Sequence, residues 1–263
     1  MHEIADIACN FTSERFDNDL DEVIDRAIVN NITKFALICS RLSDLNKLLE
    51  IYNQYSKDMF FTIGVHPHHA NEINDEYLKN LKESINNNNP HAIGETGLDF
   101  FRNLSTYEEQ VYAFEEQIKI AIDTNKPLFL HQRDSHDDFI KILKKYSSEI
   151  SKAVVHCFTG TQEQLDDYLE LDCYIGVTGW ICDEKRNVEL RKTIKNIPLE
   201  KLMIETDCPY LIPKNIVEKP KNNRNEPSNL NHIVAEIGML MGIDEDALRK
   251  ETYINTKKFF NTK

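Results

Sequence analysis

The chain of 263 residues contains no apolar run approaching the ~20 residues that a bilayer-spanning helix needs. Its longest apolar runs have the length of a strand, so no membrane crossing is expected. The first residues, Met1-His2-Glu3-Ile4-Ala5-Asp6, hold no basic stretch followed by an apolar one. That pattern predicts no secretory leader and a cytoplasmic location. None of the six cysteines (Cys9, Cys39, Cys157, Cys173, Cys182 and Cys208) belongs to a Cys-x-x-Cys pair. A structural zinc site is therefore not expected, and the cysteines read as buried reduced thiols. Linkers, repeats and low-complexity boundaries are absent as well, which predicts one domain spanning residues 1–263. Positive charge is in short supply. A formal net charge of −13 argues against a surface that coats nucleic acid, since phosphates call for a basic patch.

What the chain does have is an alternation. With 41% hydrophobic and 29% charged residues it has the composition of a globular protein. Eight short apolar or β-branched runs fall near residues 3–9, 34–39, 59–65, 91–95, 127–131, 153–157, 172–177 and 201–206. Between them lie amphipathic stretches. Leu45, Leu48, Leu49 and Tyr52 form one helical stripe, and Val111, Phe114, Ile118 and Ile122 another. Thr106-Tyr107-Glu108-Glu109 and Thr161-Gln162-Glu163-Gln164 have the spacing of capping boxes. The run from Asn86 to Pro90 reads as a loop. Helices near 229–241 and 244–260 close the chain. Strands buried on both faces and alternating with helices predict an α/β fold, a (β/α)₈ TIM barrel, although periodicity alone leaves closure of the sheet open.

Chemistry-bearing residues gather just after these runs. Glu95 follows the fourth, His131 the fifth, His156 the sixth and Asp207 the eighth. In a barrel the C-terminal strand ends converge on one face, so these residues would meet. Two imidazoles and two carboxylates there suit a divalent metal. A buried Glu95 or Asp207 would be costly unless paired or metal-bound. His66, His68 and His69, taken singly, read as polar caps of a loop.

Longer motifs carry a specific resemblance. They run in order Gly64-Val65-His66-Pro67-His68, Ala92 to Phe100, His131-Gln132-Arg133-Asp134, Val155 to Gly160, Tyr174 to Trp180, Ile204 to Leu211 and Arg224-Asn225-Glu226-Pro227. Together they resemble the TatD family of metal-dependent deoxyribonucleases, in particular the branch of 3′–5′ exonucleases on single-stranded DNA and RNA. The resemblance implies a metal-dependent hydrolase barrel in which Glu95, His131 and His156 are ligands. It implies that Asp207 is a ligand and proton acceptor, and that His66 contacts substrate phosphate. Many relatives begin with His-x-His on the first strand, whereas Ala8 and Asn10 stand here, so one firm ion site is expected and a second is in doubt. Thr96 and Gln132 also depart from residues common in relatives.

On this reading the cofactor is Mg²⁺, with Mn²⁺ the alternative, and the substrate is a single strand of DNA or RNA. No membrane and no obligate protein partner are expected. Catalysis falls to Glu95 and Asp207, and substrate binding to His66, Arg133 and Arg224. Arg102, Lys214, Lys219 and Lys221 would add local positive charge against Glu218. Phe100, Phe101, Phe158, Trp180 and Tyr210 are candidates for stacking on bases, with Trp180 and Phe158 preferred. Two rival readings stand: an amidohydrolase-type enzyme acting on a small cyclic amide or ester, and a barrel that binds without catalysis.

Overall fold

In a computed structural model, residues 1–217, 220 and 222–261 are described. Glu218, Lys219 and Lys221, three of the expected loop charges, lie outside them.

Eight parallel strands follow one another in sequence order: β1 (Ile4–Cys9), β2 (Ile32–Leu37), β3 (Met59–Ile63), β4 (Ala92–Asp99), β5 (Leu128–Arg133), β6 (Ala153–Val155), β7 (Tyr174–Val177) and β8 (Leu202–Ile204). Parallel neighbours need crossovers, and helices supply them. These include α1 (Leu20–Val29), α2 (Leu45–Tyr55), α3 (Asp75–Asn88), α4 (Tyr107–Thr124), α5 (His136–Tyr146), α6 (Gln162–Glu170) and α7 (Val188–Thr193). Two more, α8 (Leu230–Met241) and α9 (Glu245–Phe259), end the chain. Among the described residues no helix is long and apolar enough to cross a membrane.

The seam between β1 and β8 is narrow. It closes through one parallel bridge, Cys9 with Cys208, and an Asn10 N–H to Cys208 O bond of 2.9 Å. The buried Asp6 carboxylate adds to it by accepting from the Thr206 N–H at 2.9 Å and from the Thr206 hydroxyl. The sheet is thus a barrel whose last edge is stitched at the C-terminal end.

Strand faces sort the core in two. Ile7, Ala36, Phe60, Phe129, Val154 and Met203 belong to a cluster that also contains Phe259 and Phe260. Phe260 stacks on Phe60 at 4.8 Å, and Phe259 meets Tyr174 edge-on at 5.7 Å. Both partners sit at strand beginnings, so the end of α9 plugs the N-terminal end of the barrel. The larger cluster packs helices against the barrel wall, with Leu48, Phe114, Ile118 and Leu165 among its members.

Both capping boxes form: the Thr106 and Thr161 side chains accept from the N–H groups of Glu109 and Gln164, whose side chains reach back. The asparagine run differs from expectation. α3 continues through Asn88, carried by its buried stripe of Leu78, Leu81 and Ile85. It stops at Asn89, whose φ of 49° is left-handed, a conformation asparagine tolerates, directly before Pro90. β4 also runs further than expected, to Asp99, and this changes the site.

Candidate metal centre

The mouth of the barrel is built around one carboxylate. Glu95 lies in the middle of β4, with Gly94 and Gly97 on either side, at φ of 141° and 148°. A Cβ at Gly94 would fall 2.2 Å from Phe129 O, and one at Gly97 would fall 1.9 Å from His131 O. Only glycine lets β4 approach β5 this closely. The approach brings His131 Nδ1 to 2.9 Å from Glu95 Oε1. From just past β6, His156 Nε2 reaches the same oxygen at 3.0 Å, and from the loop after β3, His66 Nε2 reaches it at 3.4 Å. Three imidazole nitrogens, from positions as far apart as 66 and 156, thus surround a single carboxylate oxygen.

His131 and His156 each turn the other ring nitrogen to a second carboxylate. His156 Nδ1 is 3.2 Å from Glu205 Oε2, and Glu205 also accepts from the Cys157 N–H at 2.5 Å. His131 Nε2 is 3.3 Å from Asp99 Oδ2, an oxygen that His68 Nε2 approaches at 2.8 Å. Such carboxylate–imidazole pairs fix ring orientation and tautomer in metal sites. Neither Glu205 nor Asp99 was assigned a role from the sequence. A signal existed for Asp99, which stands four beyond Glu95, because residues two or four apart on extended chain share a face. None existed for Glu205, since the chain leaves β8 at Ile204 and turns left-handed at Asp207.

Electrostatics follow from this crowding. Burial would raise the Glu95 carboxyl, but the histidines around it outweigh burial and hold it well below the ordinary carboxylate range. Burial pushes His66 down to about 4 against the pull of Glu95, so His66 is neutral at pH 7. His156 goes the other way. Burial opposes its charge, but Glu205 and Glu95 overcome that and raise it well above the usual histidine value. Asp207, just past β8 at a φ of 54°, is pushed up to about 7, chiefly by burial and further by the charges of Glu95 and Glu205. It accepts from Asn10 Nδ2 at 2.9 Å.

A divalent ion fits these residues. Ligand atoms of His66, Glu95 and His131 all lie within 4.8 Å of one another. Bonds of about 2.1 Å to nitrogen and oxygen imply ligand–ligand edges of about 3.0–3.4 Å, and His131 Nδ1 and His156 Nε2, at 2.9 and 3.0 Å from Glu95 Oε1, are near that size. His66 Nδ1, by contrast, accepts from the His68 N–H, so its proton sits on Nε2 and it stands beside the ligands as a donor.

The expected substrate contacts separate. Arg133 ends β5 exposed at the mouth, its guanidinium 3.9 Å over the ring of Phe101. Arg224 does not join the cluster around Glu95. It is 4% exposed, binds both oxygens of Asp19 at 2.7 Å and Glu226 at 2.7 Å, and lies over Phe16. A buried guanidinium requires such partners, and they leave it tying the loop after β8 to the loop after β1. Phe158 is buried at 4% against Tyr168, and Trp180 is half-buried, whereas Phe101 and Tyr210 are 56% and 54% exposed. The cysteines are free, and all but the half-buried Cys157 are buried.

Parallel strands closed into a barrel, with imidazoles and carboxylates converging at its C-terminal mouth, define a metal-dependent hydrolase of the TIM-barrel type. The family model described as TatD related DNase matches residues 5–261, and the chain belongs to this family of nucleases. A protein of Erwinia tasmaniensis named 3′–5′ ssDNA/RNA exonuclease TatD is 40% identical over 256 residues, covering 97% of this chain and 99% of the relative. A protein of the same name from Erwinia billingiae is 41% identical over 255 residues, covering 97% and 98%. Among solved structures, a TatD family hydrolase of Entamoeba histolytica superposes with a TM-score of 0.88 at 31% identity, covering 98% of each chain. A TatD homologue of Escherichia coli does so at 0.91 and 25% identity, covering 99% and 98%.

Proposed function

We propose that this chain, as one catalytic barrel, is a divalent-metal-dependent 3′–5′ exonuclease on single-stranded DNA or RNA. The observation that carries the reading is the convergence of three imidazole nitrogens on Glu95 Oε1. The names of the Erwinia relatives supply the substrate class and polarity. Glu95, His131 and His156 would hold the firm ion, and Asp207 would face a weaker, substrate-dependent second one. The proposed ion is Mg²⁺, with Mn²⁺ the alternative: oxygen donors favour Mg²⁺, while imidazoles tilt the position beside Glu95 toward Mn²⁺. Such an ion polarises a phosphoryl oxygen and acidifies the attacking water.

The protein's own groups divide the remaining work. Asp207, pushed up to about 7, is suited to accept the water's proton near neutral pH. Neutral His66, 8% exposed, can donate one hydrogen bond to a phosphate oxygen without bringing a charge. Glu205 and Asp99 hold His156 and His131 in register. Arg133, on the rim, offers charge to a phosphate.

Replacement of Glu95 by alanine tests the reading. The E95A variant should lose at least about 1,000-fold of metal-dependent oligonucleotide hydrolysis, the scale of removing a centre of charge stabilisation, with its circular dichroism spectrum unchanged. Full retained activity would overturn the assignment.

A further inference from the structure

Phe101 is the one strongly exposed phenylalanine among the described residues, at 56%, and it stands on the loop that leads out of β4 at the barrel mouth. The loop holding it is tied down at both ends. The Phe100 N–H bonds Arg133 O at 3.0 Å, and the Arg102 N–H bonds Asp99 Oδ1 at 2.8 Å. Against the ring lies Arg133, its guanidinium carbon 3.9 Å from the centroid. Among the described residues the Arg133 guanidinium meets no carboxylate or carbonyl, so its N–H edge is open. Arg133 is two residues beyond His131 on β5, and β4 pairs Asp99 with Arg133 and Gly97 with His131. Residues two apart on a strand share a face about 7 Å apart. The aromatic–cation stack therefore sits one step above the ligand histidine, on the same strand.

We propose that Phe101 and Arg133 form a platform for one nucleobase of a single strand. The base belongs to the nucleotide next to the scissile phosphate and stacks on Phe101, while the open edge of Arg133 binds that nucleotide's phosphate. A planar guanidinium packed on a ring keeps its in-plane donors free for phosphate oxygens. Stacking on a π-face tolerates any base, which suits an enzyme that shortens strands of mixed sequence. A chain of net charge −13 gains from a locally cationic, partly apolar foothold at its mouth. The platform deepens the exonuclease reading and rests on it.

The experiment uses the metal-loaded protein and oligodeoxynucleotides carrying a single abasic residue at either of the last two 3′ positions. On the intact oligomer F101A should lower kcat/KM by about 5- to 100-fold, the range of losing one stacked base. F101W should restore it, and thermal melting should match the parent because the ring is exposed. Removing the base should slow the parent by a similar factor at one of the two positions. At that position F101A should cost little more, because the partner is already gone. Equal rates of parent and F101A on the intact oligomer, or losses that simply multiply at both positions, would overturn the platform. A parent that degrades no oligomer would instead overturn the exonuclease reading.

Discussion

The Asn10 amide reaches Asp207 across the barrel seam, with Nδ2 2.9 Å from Oδ1 and 3.1 Å from Cys208 O. The two residues are 197 positions apart. Asn10 stands where many relatives of this family carry a histidine. Here it spends its amide on the carboxylate, holding one oxygen of Asp207. Removing the amide should leave the fold intact and let the carboxylate wander. For N10A we expect kcat to fall about 10-fold, the equivalent of one hydrogen bond to a charged group, with KM and melting temperature nearly unchanged. Unaltered kcat in steady-state kinetics would show that Asn10 does not position Asp207.

Glu205 is wholly buried and reaches both His156 Nδ1 and the Cys157 N–H. The E205Q substitution keeps the shape but removes the charge that holds the imidazole. Metal affinity should drop by about 10- to 100-fold. Calorimetric titration with Mn²⁺ would measure it, and an affinity equal to that of the parent would remove Glu205 from the supporting shell.

Proton and cation compete for Asp207. Its carboxyl is raised to about 7, so below that pH a bound proton must leave before the oxygen can face a metal. Occupancy of the position that Asp207 faces should therefore strengthen as pH rises toward 7, whereas the position beside Glu95 also waits on the proton of His156, which is held above the usual histidine value. D207N should flatten the first dependence. Titrations between pH 5.5 and 8 check this, and a first dependence that survives in D207N would place the competing proton elsewhere.

Arg224 offers a contrast between stability and catalysis. Its guanidinium binds Asp19 twice and Glu226 once while nearly buried. R224M would remove the buried cation between Asp19 and Glu226 and leave them only the more exposed Arg26, 2.9 Å from Glu226 and 3.9 Å from Asp19. We expect a loss of about 2–4 kcal/mol of stability and an unchanged KM for oligonucleotide below the melting transition. A raised KM with unchanged stability would restore Arg224 to the substrate.

Much of this was legible because it is local. Strand-length apolar runs, helical stripes and two Thr-x-x-Glu/Gln boxes depend on residues a few positions apart, and β1 to β8 and α4 and α6 formed where those patterns lay. The apolar runs placed Glu95, His131, His156 and Asp207 at strand ends; His156 and Asp207 do follow β6 and β8, whereas β4 and β5 run on past Glu95 and His131 to Asp99 and Arg133. The asparagine run ahead of Pro90 misled because propensity is weak: α3 buries Leu81 and Ile85, and that burial carries the helix through Asn88.

The amino-acid sequence by itself determined the alternation of elements and the inventory of imidazoles and carboxylates, since both follow from side-chain chemistry and short-range periodicity. Tertiary structure alone decided which of those groups share an atom. Whether His66 would cap a loop or face Glu95, whether Arg224 would meet phosphate or Asp19, and which acids would hold the histidines all turn on contacts across the closed barrel. Those contacts depend on strand register and on glycines that let backbones touch. The Cys9–Cys208 seam, which joins the end of β1 to the segment after β8, appears only when the sheet has curled far enough for its first and last strands to meet.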